Sequence, residues 1–207
     1  MKNVTVINHP LVQHGLARIR HKDTSSEEFR RRLAEVATLM VYEATRSLPS
    51  RRVRVTTPLG EAKGFELKRE VILVPILRAG LGMLPPLLNL IPNARVGFIG
   101  LRRDEETLAA ETYHKSLPED LRAFEIILID PMLATGGSTL AALDLLAQHR
   151  AKHVRLVNLV ASPEGIRAVR ARHATLPMFT AAIDERLNER GYIMPGLGDA
   201  GERLFGV

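Results

Sequence analysis

The chain has 207 residues, a formal net charge of +6, 4% aromatic residues and no cysteine. That length holds one α/β domain with a full core, and the missing thiols exclude disulfides and thiolate metal sites. No apolar run is long enough to span a bilayer, and Met1 to Val12 lacks a secretory core, so a cytoplasmic protein with no membrane partner is expected. The positive charge suits a small polyanionic substrate or nucleic acid, and the scarcity of aromatics near the basic runs disfavours nucleic acid.

Ser25 with Glu28 has capping-box spacing, and Phe29, Leu33, Val36, Ala37, Met40, Val41, Ala44 and Leu48 recur at helical intervals, predicting a long N-terminal helix. Arg30 to Arg32 lie on it and Arg51-Arg52 just beyond, where a solvated face is the plainer reading. Arg52 to Pro58 and Gly64 to Leu67, divided by a turn with Gly60, predict a short hairpin outside the main sheet. Five apolar runs then read as buried parallel strands: Val71 to Ile76, Arg95 to Leu101, Phe124 to Ile129, Val154 to Ala161 and Met178 to Ile183. Helical patterns lie between them at Gly82 to Leu90, Thr139 to His149 and Pro163 to His173, the last with Ser162 as N-cap. The predicted architecture is a doubly wound parallel α/β sheet of about five strands with flanking helices, a small hairpin hood and the N-terminal helix, all in one domain over 1–207.

Ligands of such sheets bind beyond the carboxyl ends of the strands, so the residues that follow each run matter most. After Ile129 comes Asp130-Pro131-Met132-Leu133-Ala134-Thr135-Gly136-Gly137-Ser138-Thr139, a carboxylate, a small-residue turn and a helix start. Helix-start N–H groups and the positive dipole end would face an anion, the glycines allow close approach, and Thr135, Ser138 and Thr139 add hydroxyls. With Asp130 accepting from sugar hydroxyls, the stretch describes a ribose 5-phosphate site. Taken alone, it fits a capped strand-to-helix turn equally well. Arg78 and Arg103, each just after a predicted strand, are placed to bind phosphate oxygens on the same rim, while Arg102 would point the other way. Asp104 to Pro118 is polar and irregular and reads either as a lid or as an exposed arm.

The segment Gly191 to Arg203 is too rich in glycine and apolar residues for a loose tail. Gly196, Gly198 and Gly201 match the dinucleotide spacing, but too few residues follow for a βαβ unit, so NAD binding is rejected. A glycine loop can instead present backbone donors and acceptors to a planar base. Tyr192 reads as a wall of that pocket or as a core residue.

Asp130 to Ser138 resembles the phosphoribosyl diphosphate (PRPP) signature of type I phosphoribosyltransferases, with Pro131 standing where most of that superfamily has a second acid. Together with Gly191 to Gly206, it is similar along essentially the whole chain to the uracil phosphoribosyltransferase family. That resemblance implies transfer of phosphoribosyl from PRPP to N1 of uracil, giving UMP. It implies that Arg78, Arg103, Asp130, Pro131, Met132, Leu133, Ala134, Thr135, Gly136, Gly137, Ser138 and Asp199 hold PRPP, with Arg78, Arg103 and Asp199 as the catalytic set. Ile193, Gly198, Asp199 and Ala200 would contact uracil, and Mg2+ would be held through PRPP and water with no protein cage. A homodimer or homotetramer and a GTP effector are implied as well, the latter without residues to which it can be assigned. No general base for N1 is apparent. The rivals are an orotate-specific relative, for which Arg203 is the nearest cation, and an RNA-binding regulator on the same fold.

Overall fold

The computed structural model describes residues 3–103 and 110–206, with the side chains at 103 and 110 outside that description. The chain opens with β1 (Val4–Val6), α1 (Pro10–Arg20) and α2 (Ser26–Thr45), followed by the hairpin β2 (Ser50–Thr57) and β3 (Gly60–Leu67). Then come β4 (Val71–Leu77), a 3-10 turn (Ala79–Met83), α3 (Leu84–Leu90), β5 (Arg95–Val96), β6 (Phe98–Arg103) and β7 (Ala110–Ser116). The remainder is β8 (Glu125–Ile129), β9 (Met132–Leu133), α4 (Gly137–Gln148), β10 (His153–Ala161), α5 (Pro163–Arg172), β11 (Met178–Ile183), β12 (Arg186–Leu187), β13 (Ile193–Met194) and α6 (Ala200–Phe205).

The main sheet runs β1-β11-β10-β8-β4-β6-β7, with β5 beside β4 and β9 beside β10. Every pairing in it is parallel except β6 with β7. Four of the five anticipated strands are present and the fifth, Arg95 to Leu101, is broken at Gly97 into β5 and β6; the sheet is wider than anticipated because short β1 and polar β7 add edges at either side. The 104–118 stretch, expected to be irregular, is corrected in its second half. Residues 110–116 form β7, whose side chains from Glu111 onward are exposed, while Asp104, Glu105 and Glu106 lie outside the described residues.

The strands are apolar throughout because both faces are covered. Leu73, Ile127, Ile129 and Val157 pack with α1, α2, α3 and α6, whereas Ile72, Val74, Ile126 and Leu156 pack with α4 and α5 on the opposite face. Ser25 caps α2 by accepting from Glu28 N–H at 3.2 Å, but Glu28 completes no capping box: its carboxylate pairs with Arg31 and Arg32. Arg31 and Arg32 also reach Glu35, and Arg30 donates to Leu204 O, so two of the three arginines are paired with carboxylates of their own helix and the third is tied to α6. At the amino end of the sheet, buried Glu125 accepts from Arg69 at 2.8 Å and from Arg155 at 3.1 Å. From β4 the chain proceeds outward to β6 in one direction, and from β8 to β10 and β11 in the other. The switch therefore falls between β4 and β8, which opens the crevice at their carboxyl ends to a ligand.

Candidate active site

Asp130 ends β8 at that crevice. It is 9% exposed, and burial pushes its carboxyl up to about 7, only partly offset by the Met132 N–H that donates to it at 3.3 Å. A carboxylate so poorly solvated gains strongly from hydroxyl donors brought by a ligand.

The loop beyond it is held from behind by two neighbouring elements. Leu159 and Val160 N–H both donate to Pro131 O at 2.9 and 3.0 Å, Ser162 N–H donates to Leu133 O at 2.9 Å, and the Ser162 hydroxyl donates to Ala134 O. The same Ser162 oxygen caps α5 by accepting Gly165 N–H at 2.8 Å, as its sequence position implied. Gly165 lies against Ala134 O and Leu133 O so closely that a Cβ would overlap both. Gly136 then takes a left-handed φ of +86° as the N-cap of α4, and Gly137 and Ser138 start the helix exposed to solvent. Thr135, Gly137 and Ser138 thus form an open cradle. Thr139, read from sequence as a further hydroxyl donor, is corrected: it is 1% exposed and faces the core.

Arg78 follows β4 through a cis Leu77–Arg78 peptide and is exposed. The turn carrying it packs tightly on β8, since a Cβ on Gly80 would stand 2.8 Å from Ile129 O, one residue before Asp130. Arg103 closes β6 on the same rim by its backbone, and its side chain lies outside the described residues. Arg102 pairs with Glu111, its register partner on β7, at 2.8 Å.

Across the crevice, Met132, Ala134, Arg190, Gly191, Tyr192, Ile193, Gly198, Asp199 and Ala200 line a cavity of about 270 Å³. The four residues expected at a base, Ile193, Gly198, Asp199 and Ala200, are therefore brought together, and beside Met132 and Ala134 of the loop that follows Asp130. Asp199 caps α6 by accepting Glu202 N–H at 2.9 Å. Tyr192 is 44% exposed on this wall, which removes the core reading of that residue. Arg190 was missed from the sequence. The available signal was turn chemistry, since Asn188 Oδ1 accepts from Arg190 N–H at 3.0 Å and Tyr192 N–H at 2.9 Å. Arg203 takes a different role from that of a free cation near the base. Its guanidinium donates to Leu197 O, Ile19 O and His21 O and lies 4.6 Å over the Phe29 ring.

Among the described residues no group of three or more His, Cys, Asp or Glu is arranged to hold a metal ion. No helix is long and apolar enough to cross a membrane among the same residues.

A doubly wound sheet with an acid, a glycine cradle and a helix start at its switch point is the architecture of the phosphoribosyltransferase fold class. An adenine phosphoribosyltransferase from Trypanosoma brucei shares that fold at a TM-score of 0.58 and 13% identity, over 96% of this chain and 89% of that one. A solved protein from Aquifex aeolicus matches at a TM-score of 0.93 and 40% identity, over 99% of this chain and 98% of that one. A family model described as uracil phosphoribosyltransferase matches residues 6–207. Uracil phosphoribosyltransferases from Dictyoglomus thermophilum, 52% identical over 99% of both chains, and from Streptococcus pneumoniae, 51% identical over 100% of both, are similar throughout. The chain belongs to the uracil phosphoribosyltransferase family.

Proposed function

We propose that this enzyme transfers the 5-phosphoribosyl group of PRPP to N1 of uracil, releasing UMP and diphosphate, and that residues 1–207 form one domain for that purpose. The observation that carries the reading is a base-sized cavity walled on one side by Met132 and Ala134, the stretch that leads directly from Asp130 into the cradle at Thr135 to Ser138. The 5-phosphate sits on Thr135, Gly137 and Ser138 with Gly136 shaping the turn, while Pro131 to Ala134 carry the sugar and Asp130 accepts from its hydroxyls. Arg78 and Arg103 face the diphosphate. As the C1–O bond breaks and the N1–C1 bond forms, negative charge gathers on the leaving group and the N1 proton is lost to it or to water. Cations fixed at that spot lower the barrier because they require no reorganisation. Mg2+ arriving with PRPP supplies further neutralisation of the diphosphate.

Uracil occupies the cavity between Ile193 and the Gly198, Asp199 and Ala200 backbone, with Asp199 bordering PRPP as well. Its imide is weakly acidic, so donors at its oxygens serve in place of a strong base. Leu59, Phe65, Val55 and Leu67 are exposed on the β2–β3 hairpin and fit a homo-oligomer contact. A GTP effector and a cytoplasmic location belong to the proposal on family resemblance alone.

The test is a radiolabelled-base assay with PRPP and Mg2+, offering uracil, orotate, cytosine and hypoxanthine separately. UMP from uracil alone supports the reading, and turnover of orotate or hypoxanthine in preference to uracil refutes it.

A further inference from the structure

The cavity-lining part of the C-terminal loop is held locally at Tyr192 and Ile193, through Asn188 and the β12–β13 pairing, and at Leu197 through Arg203. Its back is gripped at Gly196 by two side chains from distant elements. Arg20, the last residue of α1, donates from Nη1 to Gly196 O at 2.7 Å, while Asp184, the first residue after β11, accepts Gly196 N–H at 2.8 Å. The two side chains are themselves paired in a fork, Nη1 to Oδ2 at 2.7 Å and Nη2 to Oδ1 at 2.6 Å. Asp184 is 8% exposed and its own N–H is fixed to Ala161 O at 2.9 Å, so the grip is anchored to the sheet.

Gly196 is suited to this grip. Its φ is +62°, and any Cβ would overlap Ile193 O, so the loop doubles back on itself with both backbone polar groups turned away from the cavity. Those two groups meet Arg20 and Asp184, while Ile193 on one side and Gly198 on the other line the cavity. Neither Arg20 nor Asp184 does. A bidentate ion pair that also satisfies both polar groups of one peptide position fixes that position in orientation as well as in place.

We infer that Arg20 and Asp184 are positioning residues for the pyrimidine: they set the backbone groups of Ile193, Gly198 and Ala200 at the spacing that recognises the base. The inference rests on the base-site reading above. It assigns a specificity role to the end of α1, a helix that contributes no residue to the cavity lining.

The experiment is steady-state kinetics on Arg20→Ala, Arg20→Lys, Asp184→Asn and Ala200→Val, with calorimetric PRPP binding as the check on folding. In Arg20→Ala the uracil KM rises about tenfold, the size of one lost charge-assisted contact, while the PRPP KM stays within about twofold. Arg20→Lys restores part of the loss, because an ammonium still reaches Asp184 or Gly196 O. Asp184→Asn, which keeps an acceptor for Gly196 N–H, falls between wild type and Arg20→Ala. Uracil and PRPP KM rising together, or Arg20→Lys performing no better than Arg20→Ala, overturns the inference. Ala200→Val adds bulk to the cavity wall and tests the base site by itself. An unchanged uracil KM in that variant overturns the base-site reading, whereas a raised one beside an unaffected Arg20→Ala overturns the positioning role alone.

Discussion

The loop at 130–138 and the loop at 193–200 face the same cavity, yet they are shaped by different forces. The first is a continuation of β8 whose backbone is tied to β10 and the start of α5 through Pro131, Leu133 and Ala134 oxygens, so the sheet itself dictates its course. The second leaves the sheet altogether and is shaped by guanidinium groups: Arg20 at Gly196 O, Arg203 at Leu197 O, with Asp184 between. A phosphate needs a dense set of N–H donors at one point, which a strand–turn–helix junction supplies wherever it occurs. A base needs donors and acceptors in a particular order along an edge, and long-range struts can set that order without altering the sheet.

If this division is right, substitutions should separate by substrate. The largest effect is expected from Arg78→Ala, which removes the cation proposed for the leaving group: kcat falls about 100- to 1,000-fold with uracil KM little changed, measured by initial rates. A drop confined to uracil KM would place Arg78 on the base side. Next is Asp130→Asn, with a loss of about 10- to 100-fold in kcat/KM for PRPP from the weakened acceptor. Its stability effect has the opposite sign. Burial raises the folded carboxyl from 3.8 to about 7, so ionisation costs the folded state more than the unfolded one, and wild-type stability declines as pH rises from about 4 through about 7. The ligand-free Asn variant should therefore be more stable by about 1–3 kcal/mol at pH 8, seen as a higher Tm, with the gap closing on acidification towards pH 4. By the same reasoning PRPP binds the ionised carboxylate, so its affinity in wild type rises between pH 6 and 8, and this rise disappears in the Asn variant.

Two glycine substitutions probe the supports rather than the ligands. Gly165→Ala drives a methyl into Ala134 O and Leu133 O and should raise the PRPP KM about five- to tenfold, and Gly196→Ala drives one into Ile193 O and should do the same to the uracil KM. Crossed results, with Gly196→Ala weakening PRPP as much as uracil, would show that the two loops act as one unit.

The division also explains what could be read from the sequence. Strands β4, β8, β10 and β11 announce themselves as apolar runs because both faces of each are covered, and the proposed phosphate loop follows from the residues next to β8. The first helix escaped notice because Gly15 interrupts its pattern. That glycine is there for packing, since a Cβ would run into Val36 of α2. Strand β7 is polar along one exposed edge and carries no alternation to detect. The proposed base site was legible as a glycine-rich segment but its geometry was not, because Arg20 and Asp184 lie 164 positions apart and nothing local pairs them. Thr139 shows the reverse error, a residue with suitable chemistry whose helical phase points it into the core.

The smallest expected effect concerns Tyr192, which stands half-exposed on the cavity wall with its N–H engaged by Asn188 Oδ1. If the order of backbone groups on the strutted loop reads the base, this side chain contributes ring surface and nothing more. Tyr192→Phe should then change the uracil KM by less than about twofold, and Tyr192→Ala should raise it about three- to tenfold, the range for one lost aromatic contact. Competition by cytosine gives the sharper readout, since it inverts two adjacent groups on the pyrimidine edge, a donor for the acceptor at the 4-position and an acceptor for the N3–H donor. Discrimination against cytosine should be unaltered in both variants. Its collapse in Tyr192→Phe would mean that a hydroxyl, and not the backbone of Gly198 to Ala200, recognises the pyrimidine edge.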